Sequence, residues 1–416
     1  IDSRNLLAFG ALALMGTLAL LEHWVADRRP APAAVRAAHE SVVVNGGDRG
    51  AGSLREAVFA ADSAAGRARI VLRTARIALR SPLPPIVNPH GVVIEAEQQG
   101  TEIDARELDN GPVFDIDANS SSINGLVIRN AREQAILVRA GNFQLTATTI
   151  EDCDEGVYVA EGIRGVLIED SQFANNRIGI RLASASPDIV VRHNRFAGHR
   201  DAALWIVRSE FDRRDARPML VRENHFRDDR ISVVLGNAAV AVESNEFERA
   251  RDAALYLIGE GAIVRANRIR NGPTTGIVAQ AAHGAAIESN ELDHLSALAI
   301  LVRDSRNTLV RGNRLHNNGY GIAFVLGEAG RPSVAHDNTL MSQRYDGIIV
   351  IGDSPVLRHN RVLASRSAAL RVLDFLPLVG RRVTARPFLQ DNVWDGNRFN
   401  EVVRGVYRQE KTEAAR

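Results

Sequence analysis

A chain of 416 residues could form roughly two or three ordinary domains or one long repetitive domain. Its formal net charge of +1 comes from 51 basic and 50 acidic residues, so no overall field attracts nucleic acid and we expect no such partner. The single cysteine, Cys153, excludes an internal disulfide and a cysteine-based metal site, and the histidines show no metal-binding spacing. We therefore expect neither a metal nor another cofactor.

The N-terminal segment contains an uncharged apolar run, Leu6–Leu21, followed by Trp24. With its neighbours the run is long enough to span a bilayer, and Trp24 is placed like an interfacial anchor. A cleavable signal peptide is the alternative interpretation, since its apolar region is shorter and ends at small residues. We predict an uncleaved transmembrane signal anchor over residues 1–26 in the inner membrane, with the rest of the chain in the periplasm. A Pro/Ala-rich linker is expected over 27–40.

The segment 41–62 predicts a strand, a Gly-rich turn and a short amphipathic helix. Ser53 is a candidate N-cap, and Glu56 three residues later would complete a capping box. We expect this helix to cover the open end of the structure that follows, because an uncovered end would expose strand edges and core. The apolar stripe that would face that core consists of Leu54, Val58 and Ala61.

A repeat of about 22 residues runs through 63–406, as in "VESNEFERARDAALYLIG" at Val242–Gly259. A large apolar residue recurs at Ile128, Ile150, Phe173, Phe196, Phe226, Phe247, Ile269, Leu292, Leu315, Leu340 and Val362. An asparagine lies two positions earlier at Asn194, Asn224, Asn245, Asn267, Asn290, Asn313, Asn338 and Asn360. Three short strands per repeat, with no room for a helix, predict an all-β, right-handed, single-stranded parallel β-helix of about 12–14 coils. The segment 407–416 is interpreted as a charged tail.

Equivalent residues of stacked coils form columns, because each coil lies one strand spacing, about 4.8 Å, from the next. We expect the large residues to form an internal stack. The asparagines should adopt the left-handed bend between two strands and hydrogen-bond from coil to coil. The asparagine column is therefore interpreted as structural and not as a binding site.

The "SLREAV" helix followed by N-x-F/I/L repeats resembles the carbohydrate-binding and sugar-hydrolase β-helix superfamily, which includes NosD-like repeat proteins and mannuronan epimerases. The resemblance covers about Ser41 to Val406 and implies long glycans laid along one face. The motifs of the known enzymes are mostly missing. Only Asp228–Asp229 matches the paired aspartates of polygalacturonase-like enzymes, and "NPHG" at Asn88–Gly91 lacks both acids of the epimerase D-P-H-D element.

Two outward positions, four and one before each large residue, carry charges that alternate in sign from Glu243 to Arg314, which predicts ion-pair ladders. The alternation fails where two basic repeats are adjacent, and an insertion there adds further arginines. We interpret this region as a candidate site for an anionic glycan held by guanidinium groups. Its members are Arg192, Arg195, Arg200, Arg213, Arg214, Arg217, Arg222 and His225. The candidate acid and base groups nearby are Asp228, Asp229 and His199.

A second insertion, Asp374–Phe388, interrupts the last repeats and is apolar with Arg381, Arg382 and Arg386. It would form either a lid over the C-terminal end of the core or a docking loop for another protein. In the second case the anchoring side chains would be Phe375, Leu376 and Leu378.

The preferred function from the sequence is a membrane-anchored periplasmic β-helix that binds or guides a polysaccharide. It would be an accessory subunit of an exopolysaccharide synthesis or export complex, with the N-terminal helix contacting that membrane complex. The enzymatic alternative is an epimerase, lyase or hydrolase that acts on the polysaccharide. A third alternative is a non-catalytic scaffold of another membrane protein complex, in which the β-helix contacts only protein.

Overall fold

The computed structural model of the protein describes residues 39–183, 185, 188–207, 218–376 and 381–404. This part of the chain forms three long parallel sheets, in which each strand pairs with the equivalent strands of the preceding and following repeats. No helix among the described residues is long and apolar enough to cross a membrane. The span predicted over 1–26 lies outside these residues.

The three sheets share the described chain almost equally. The first sheet has 15 strands there: His39–Val43, Ala68–Leu72, Val92–Ala96, Ser122–Asn124, Gln144–Thr146, Leu167–Glu169, Val190–Arg192, Met219–Arg222, Val240–Glu243, Ile263–Arg265, Ala286–Glu288, Leu309–Arg311, Val334–His336, Val356–Arg358 and Phe388–Gln390. The second has 14: Arg76–Ala78, Thr101–Asp104, Leu126–Arg129, Thr149–Glu151, Gln172–Ala174, Arg195–Ala197, His225–Arg227, Glu246–Glu248, Arg268–Arg270, Glu291–Asp293, Arg314–His316, Thr339–Met341, Arg361–Leu363 and Val393–Asp395. The third has 13: Phe114–Ile116, Gln134–Val138, Glu155–Val159, Ile178–Leu182, Ala202–Val207, Ile231–Gly236, Ala253–Ile258, Thr275–Gln280, Leu298–Arg303, Tyr320–Val325, Ile348–Ile351, Ala368–Leu373 and Phe399–Arg404.

One strand of each sheet makes up one coil, so the 13 strands of the third sheet correspond to about 13 coils. This confirms the predicted parallel β-solenoid with three strands per repeat. A small antiparallel pair, Phe375–Leu376 with Arg381–Arg382, lies within the second insertion. Leu378 is outside the described residues, and the docking role of Phe375, Leu376 and Leu378 stays a prediction.

The predicted column of large residues forms the core. Phe173, Phe196, Phe226 and Phe247 occupy successive register positions of the second sheet. Their rings stack nearly parallel, with centroids 5.0, 4.7 and 4.8 Å apart, and all four are fully buried. Since this separation equals the strand spacing, the solenoid itself sets the stacking distance.

The asparagine column forms a buried hydrogen-bond ladder at the corner between the first and second sheets. The Oδ1 atom of Asn245 accepts a hydrogen bond from the backbone N–H of Asn224 at 2.9 Å, and its Nδ2 donates to the carbonyl oxygen of Val221 at 2.9 Å. The left-handed bend was predicted at the asparagine itself, but it lies one residue earlier, for example at Ser244 with φ 54°. The residue before each asparagine turns the chain and faces solvent, because the side-chain amide of the asparagine must point inward to reach the next coil.

The predicted capping helix spans Leu54–Asp62 and buries its apolar stripe on the first coil. The Ser53 side chain accepts from the backbone N–H of Glu56, while the Glu56 carboxylate accepts from the N–H of Gly52 at 2.6 Å. The "NPHG" segment has a structural place beneath this helix. Asn88 is buried, and its Nδ2 donates to the carbonyl oxygen of Ala61 at 2.6 Å.

Candidate functional site

The predicted acid and base groups His199 and Asp229 lie inside the coil. Both side chains are fully buried, and His199 Nδ1 is 2.7 Å from Asp229 Oδ1. The same carboxylate oxygen accepts the backbone N–H of His199 at 3.1 Å, and the other imidazole nitrogen, Nε2, is 3.5 Å from Nδ2 of Asn176. Neither side chain can reach a glycan that lies outside the solenoid.

These two residues belong to a second column, three residues after the large core residue, which is polar in several repeats and lies at the corner between the second and third sheets. At this position a side chain accepts the backbone N–H of the preceding coil: Asn176 from Cys153 at 2.9 Å, and Asn318 from Leu295 at 3.0 Å. Members of the column include Cys153, Asn176, His199, Asp229, Asn318 and Gln343. The His199–Asp229 contact therefore completes a structural ladder.

Asp228 points away from its neighbour. It is the left-handed corner residue, with φ 58°, and half of its side chain is exposed. Arg249 donates to both of its oxygens at 2.8 Å, and these bonds hold the pKa of the Asp228 carboxyl below its ordinary value. Asp228 and Asp229 consequently face opposite sides of the chain and do not share a proton.

The predicted basic residues fall on two sheets. Register places Arg192 beside Arg222 in the first sheet and Arg195 beside His225 in the second. Acids neutralise part of the set: Arg192 Nε is 2.7 Å from Glu169 Oε2, and His225 Nδ1 is 3.3 Å from Glu246 Oε2. The Nε atom of Arg222 lies 4.0 Å from Glu223 Oε2.

Two further predicted residues, Arg195 and Arg200, are exposed, and neither side chain has a hydrogen bond or ion pair among the described residues. The remaining three, Arg213, Arg214 and Arg217, lie outside the described residues. The structure thus brings pairs of predicted residues together, but it divides them between two sheets and a corner. Within the described ranges, no group of three or more histidine, cysteine, aspartate or glutamate side chains is placed to hold a metal ion.

The first sheet has an outward apolar column, with Val190 beside Leu220, but the outward column of the third sheet also contains aromatic residues. One column crosses 11 of the 13 strands of this sheet and contains mostly apolar and aromatic side chains, one from each of these strands. We call it the third-sheet face, and it consists of Leu137, Tyr158, Arg181, Trp205, Val234, Tyr256, Val278, Leu301, Ala323, Ile349 and Arg371. Val234 and Ala323 are buried, whereas the other side chains of the column are at least partly exposed, and clustered exposed apolar side chains are typical of an interaction site.

Near its N-terminal end the third-sheet face carries an organised group of side chains, which we call the Glu155 cluster: Glu155, Tyr158, Arg177, Arg181 and Trp205. The Glu155 side chain is 2% exposed, and its Oε1 lies 3.1 Å from the guanidinium groups of both Arg177 and Arg181. Arg181 also lies over the Tyr158 ring, with its guanidinium carbon 5.2 Å from the ring centroid. The contact with Glu155 holds the inner side of the Arg181 guanidinium group in place. The Arg181 side chain is 49% exposed, so its outer side remains open to solvent.

The neighbouring charges fix Arg177 in turn. Asp154 accepts from its Nε at 2.7 Å and its Nη2 at 2.8 Å, and Asp201 accepts from its Nη1 at 3.2 Å. The hydrogen bonds from Arg177 lower the pKa of Asp154, and those carboxylates raise the pKa of Arg177. The Glu155 cluster is therefore a preformed ionic frame that supports the exposed face of Arg181 between two aromatic side chains.

Sequence reasoning missed the third-sheet face because it followed charges on the first two strands of each repeat. The available signal was the outward residue of the third strand, which is Tyr158 in "GVYVA", Trp205 in "ALWIV" and Tyr256 in "ALYLI". Aligning these short strands in register shows that aromatic residues occupy one column.

The chain matches the protein family described as right handed beta helix region over residues 90–211 and 211–363. The protein belongs to this family. The sequence resemblance to right-handed parallel β-helix proteins is thereby confirmed. No curated protein matches the chain.

Several solved structures are similar to this protein at low sequence identity. A mutant tailspike of Escherichia coli bacteriophage HK620, in complex with a pentasaccharide, has 10% identity and a TM-score of 0.52, covering 81% of this chain and 74% of its own. The A-module of a mannuronan C-5 epimerase from Azotobacter vinelandii has 11% identity and a TM-score of 0.45, with coverages of 89% and 98%. The catalytic unit of an α-1,3-glucanase from Streptomyces thermodiastaticus has 12% identity and a TM-score of 0.46, with coverages of 86% and 68%. At these identities the similarity concerns the fold.

Proposed function

We propose that the protein binds an extended polysaccharide along the third-sheet face. The observation that carries this proposal is the run Tyr158, Arg181 and Trp205 on three successive coils, supported from below by Glu155. Flat aromatic side chains offer a large apolar surface to the C–H faces of sugar rings, and guanidinium groups donate to their oxygen atoms. Among the described residues, the Tyr158 hydroxyl and the Trp205 indole N–H have no hydrogen-bond partner and could bond sugar hydroxyls.

The shape of the face suits a long ligand. Its side chains follow each other at about 4.8 Å, so a chain laid along the solenoid axis would meet a partly exposed side chain on each coil of the column except those of the buried Val234 and Ala323. The tailspike that shares the fold was solved with a pentasaccharide, which supports an oligosaccharide as the class of ligand.

Binding is favoured over catalysis by the positions of the predicted acid and base groups. His199 and Asp229 are fully buried, while Asp228 is held by Arg249. We therefore propose a glycan-guiding accessory role in an exopolysaccharide synthesis or export complex, with residues 1–26 as the membrane anchor and the solenoid in the periplasm. This finer part of the proposal rests on the apolar N-terminal sequence.

Affinity electrophoresis tests the proposal, using gels that contain sodium alginate, sodium polygalacturonate or dextran. We expect at least one polymer to retard the wild-type protein and Trp205→Ala to abolish most of that retardation, with recovery in Trp205→Phe. Phe59→Ala is the matched control, because Phe59 is an aromatic residue 59% exposed on the capping helix. Equal mobility of the wild type in all gels and in a polymer-free gel would contradict polysaccharide binding.

A further inference from the structure

A second group of side chains, near the C-terminal end of the third-sheet face, repeats the acid–arginine pair of the Glu155 cluster. We call it the Asp346 cluster, and it consists of Tyr320, Tyr345, Asp346, Ser367 and Arg371. Arg371 donates from Nε to Asp346 Oδ2 at 2.6 Å and from Nη2 to Asp346 Oδ1 at 2.9 Å. It also donates to the Ser367 hydroxyl at 3.1 Å. The buried carboxylate and the half-buried guanidinium thus form another fixed ion pair.

The two ion pairs occupy the same register positions. Glu155 lies two residues before Val157, and Asp346 lies two residues before Ile348, which is the equivalent position of its strand. Each carboxylate pairs with the arginine of the next coil in the third-sheet column, Arg181 in one case and Arg371 in the other. Within that column these are the two arginines, so the acid–arginine arrangement is found once near each end.

Aromatic residues also lie near the second ion pair, although Tyr320 and Tyr345 lie outside the outward column that contains Tyr158 and Trp205. The rings of Tyr320 and Tyr345 stack with centroids 4.7 Å apart, and Tyr345 is 51% exposed. Burial, followed by the charge of Asp346, raises the pKa of the Tyr320 hydroxyl, which therefore stays protonated and able to donate. Burial opposes the ionisation of Asp346, but the hydrogen bonds from Arg371 outweigh it and lower the pKa of this carboxyl.

The side chains between the clusters are largely aliphatic. From Arg181 to Arg371 the column passes through eight successive pairings, which corresponds to about 38 Å at the strand spacing. Apart from Trp205 and Tyr256, the intervening residues are Val234, Val278, Leu301, Ala323 and Ile349. Polar recognition on this face is therefore concentrated at two points.

We propose that the Asp346 cluster is a second glycan subsite and that one polysaccharide chain contacts both clusters at once. This inference rests on the proposed function and adds a minimum length to the ligand. A chain that spans about 38 Å would bind much more tightly than a fragment that reaches one cluster, because the second contact becomes intramolecular.

The test compares a polymer retained in the electrophoresis gels with short fragments from its own partial hydrolysis, size-fractionated to well below the distance between the clusters. Binding to wild type, Trp205→Ala, Tyr345→Ala and Met341→Ala is measured by titration. Met341 is the matched control, since it is 42% exposed in the same coil but belongs to the second sheet. Urea unfolding of each variant verifies that the solenoid is intact.

For the polymer, we expect Trp205→Ala and Tyr345→Ala each to weaken binding about 100-fold, and Met341→Ala to leave it unchanged. For the short fragments, we expect weak binding to the wild type and a much smaller effect of either substitution. If Trp205→Ala weakens polymer binding while Tyr345→Ala behaves like the control, the second subsite is wrong and the proposed function stands. If the wild type binds none of the three polymers, both the proposed function and this inference are overturned.

Discussion

The asparagine ladder makes a quantitative prediction for Asn267→Ala. The Asn267 side chain takes part in four hydrogen bonds: Nδ2 donates to Val242 O at 2.8 Å and Asn290 Oδ1 at 3.0 Å, and Oδ1 accepts from Asn245 N at 3.0 Å and Asn245 Nδ2 at 3.1 Å. Each buried hydrogen bond contributes about 1 kcal/mol net, so their loss lowers the free energy of unfolding by about 4 kcal/mol.

Urea unfolding followed by far-ultraviolet circular dichroism measures this change. Because solenoids need not unfold in one step, the comparison uses the midpoint and the breadth of the transition. Asn110→Ala is the control, since Asn110 is exposed and its side chain has no hydrogen bond among the described residues. Surface substitutions ordinarily change the free energy of unfolding by no more than about 0.5 kcal/mol. If the free energies of unfolding of Asn267→Ala and this control differ by no more than that, the structural role of the ladder is refuted.

Three further predictions depend on the burial of individual side chains. Phe226→Ala removes stacking on Phe196 and Phe247 and should lower the free energy of unfolding by about 3–5 kcal/mol in the same urea assay; a loss below about 1 kcal/mol would contradict the tight stack. Burial raises the pKa of the Cys153 thiol to about 12, so iodoacetamide at pH 8 should modify it only after unfolding, as read by mass spectrometry. Burial also raises the pKa of the Asp353 carboxyl in the folded state. The free energy of unfolding therefore falls as the pH rises through this raised pKa and Asp353 ionises. Asp353→Asn should therefore raise the urea midpoint at pH 7 but not below the ordinary carboxyl pKa, and an equal effect at both pH values would be inconsistent with this cause.

Periodicity was sufficient to predict the solenoid, because the large core residues recur at a fixed position in each repeat and the asparagines do so in most repeats. The Ser53 cap and the apolar stripe of the helix were predictable for the same reason, since local spacing determines them. The second polar column was not, because unrelated residue types such as Cys153, Asn176, His199 and Asp229 all fill it. At several of these positions the common property is a side-chain acceptor that reaches one backbone N–H, as in Asn176 and Asp229.

The third-sheet face could not be predicted from the sequence either. Tyr158, Arg181 and Trp205 are separated by more than 20 residues in sequence, and only the strand register shows that they are neighbours. Charges on the first two strands were easier to recognise, but many of them neutralise each other, as Glu243 and Arg265 do at 2.7 Å. Ion pairs of this kind leave little charge for a ligand.

Hydroxyl-radical footprinting with a retained polymer tests the central claim, that glycan binds the third-sheet face, most directly. The rate of side-chain oxidation is measured by mass spectrometry with and without the polymer. We predict that the polymer protects Tyr158, Trp205 and Tyr345 and leaves Phe59 and Met341 unprotected. Protection of Phe59 or Met341 alone, under conditions where the polymer is bound, would place the ligand elsewhere and contradict the proposal.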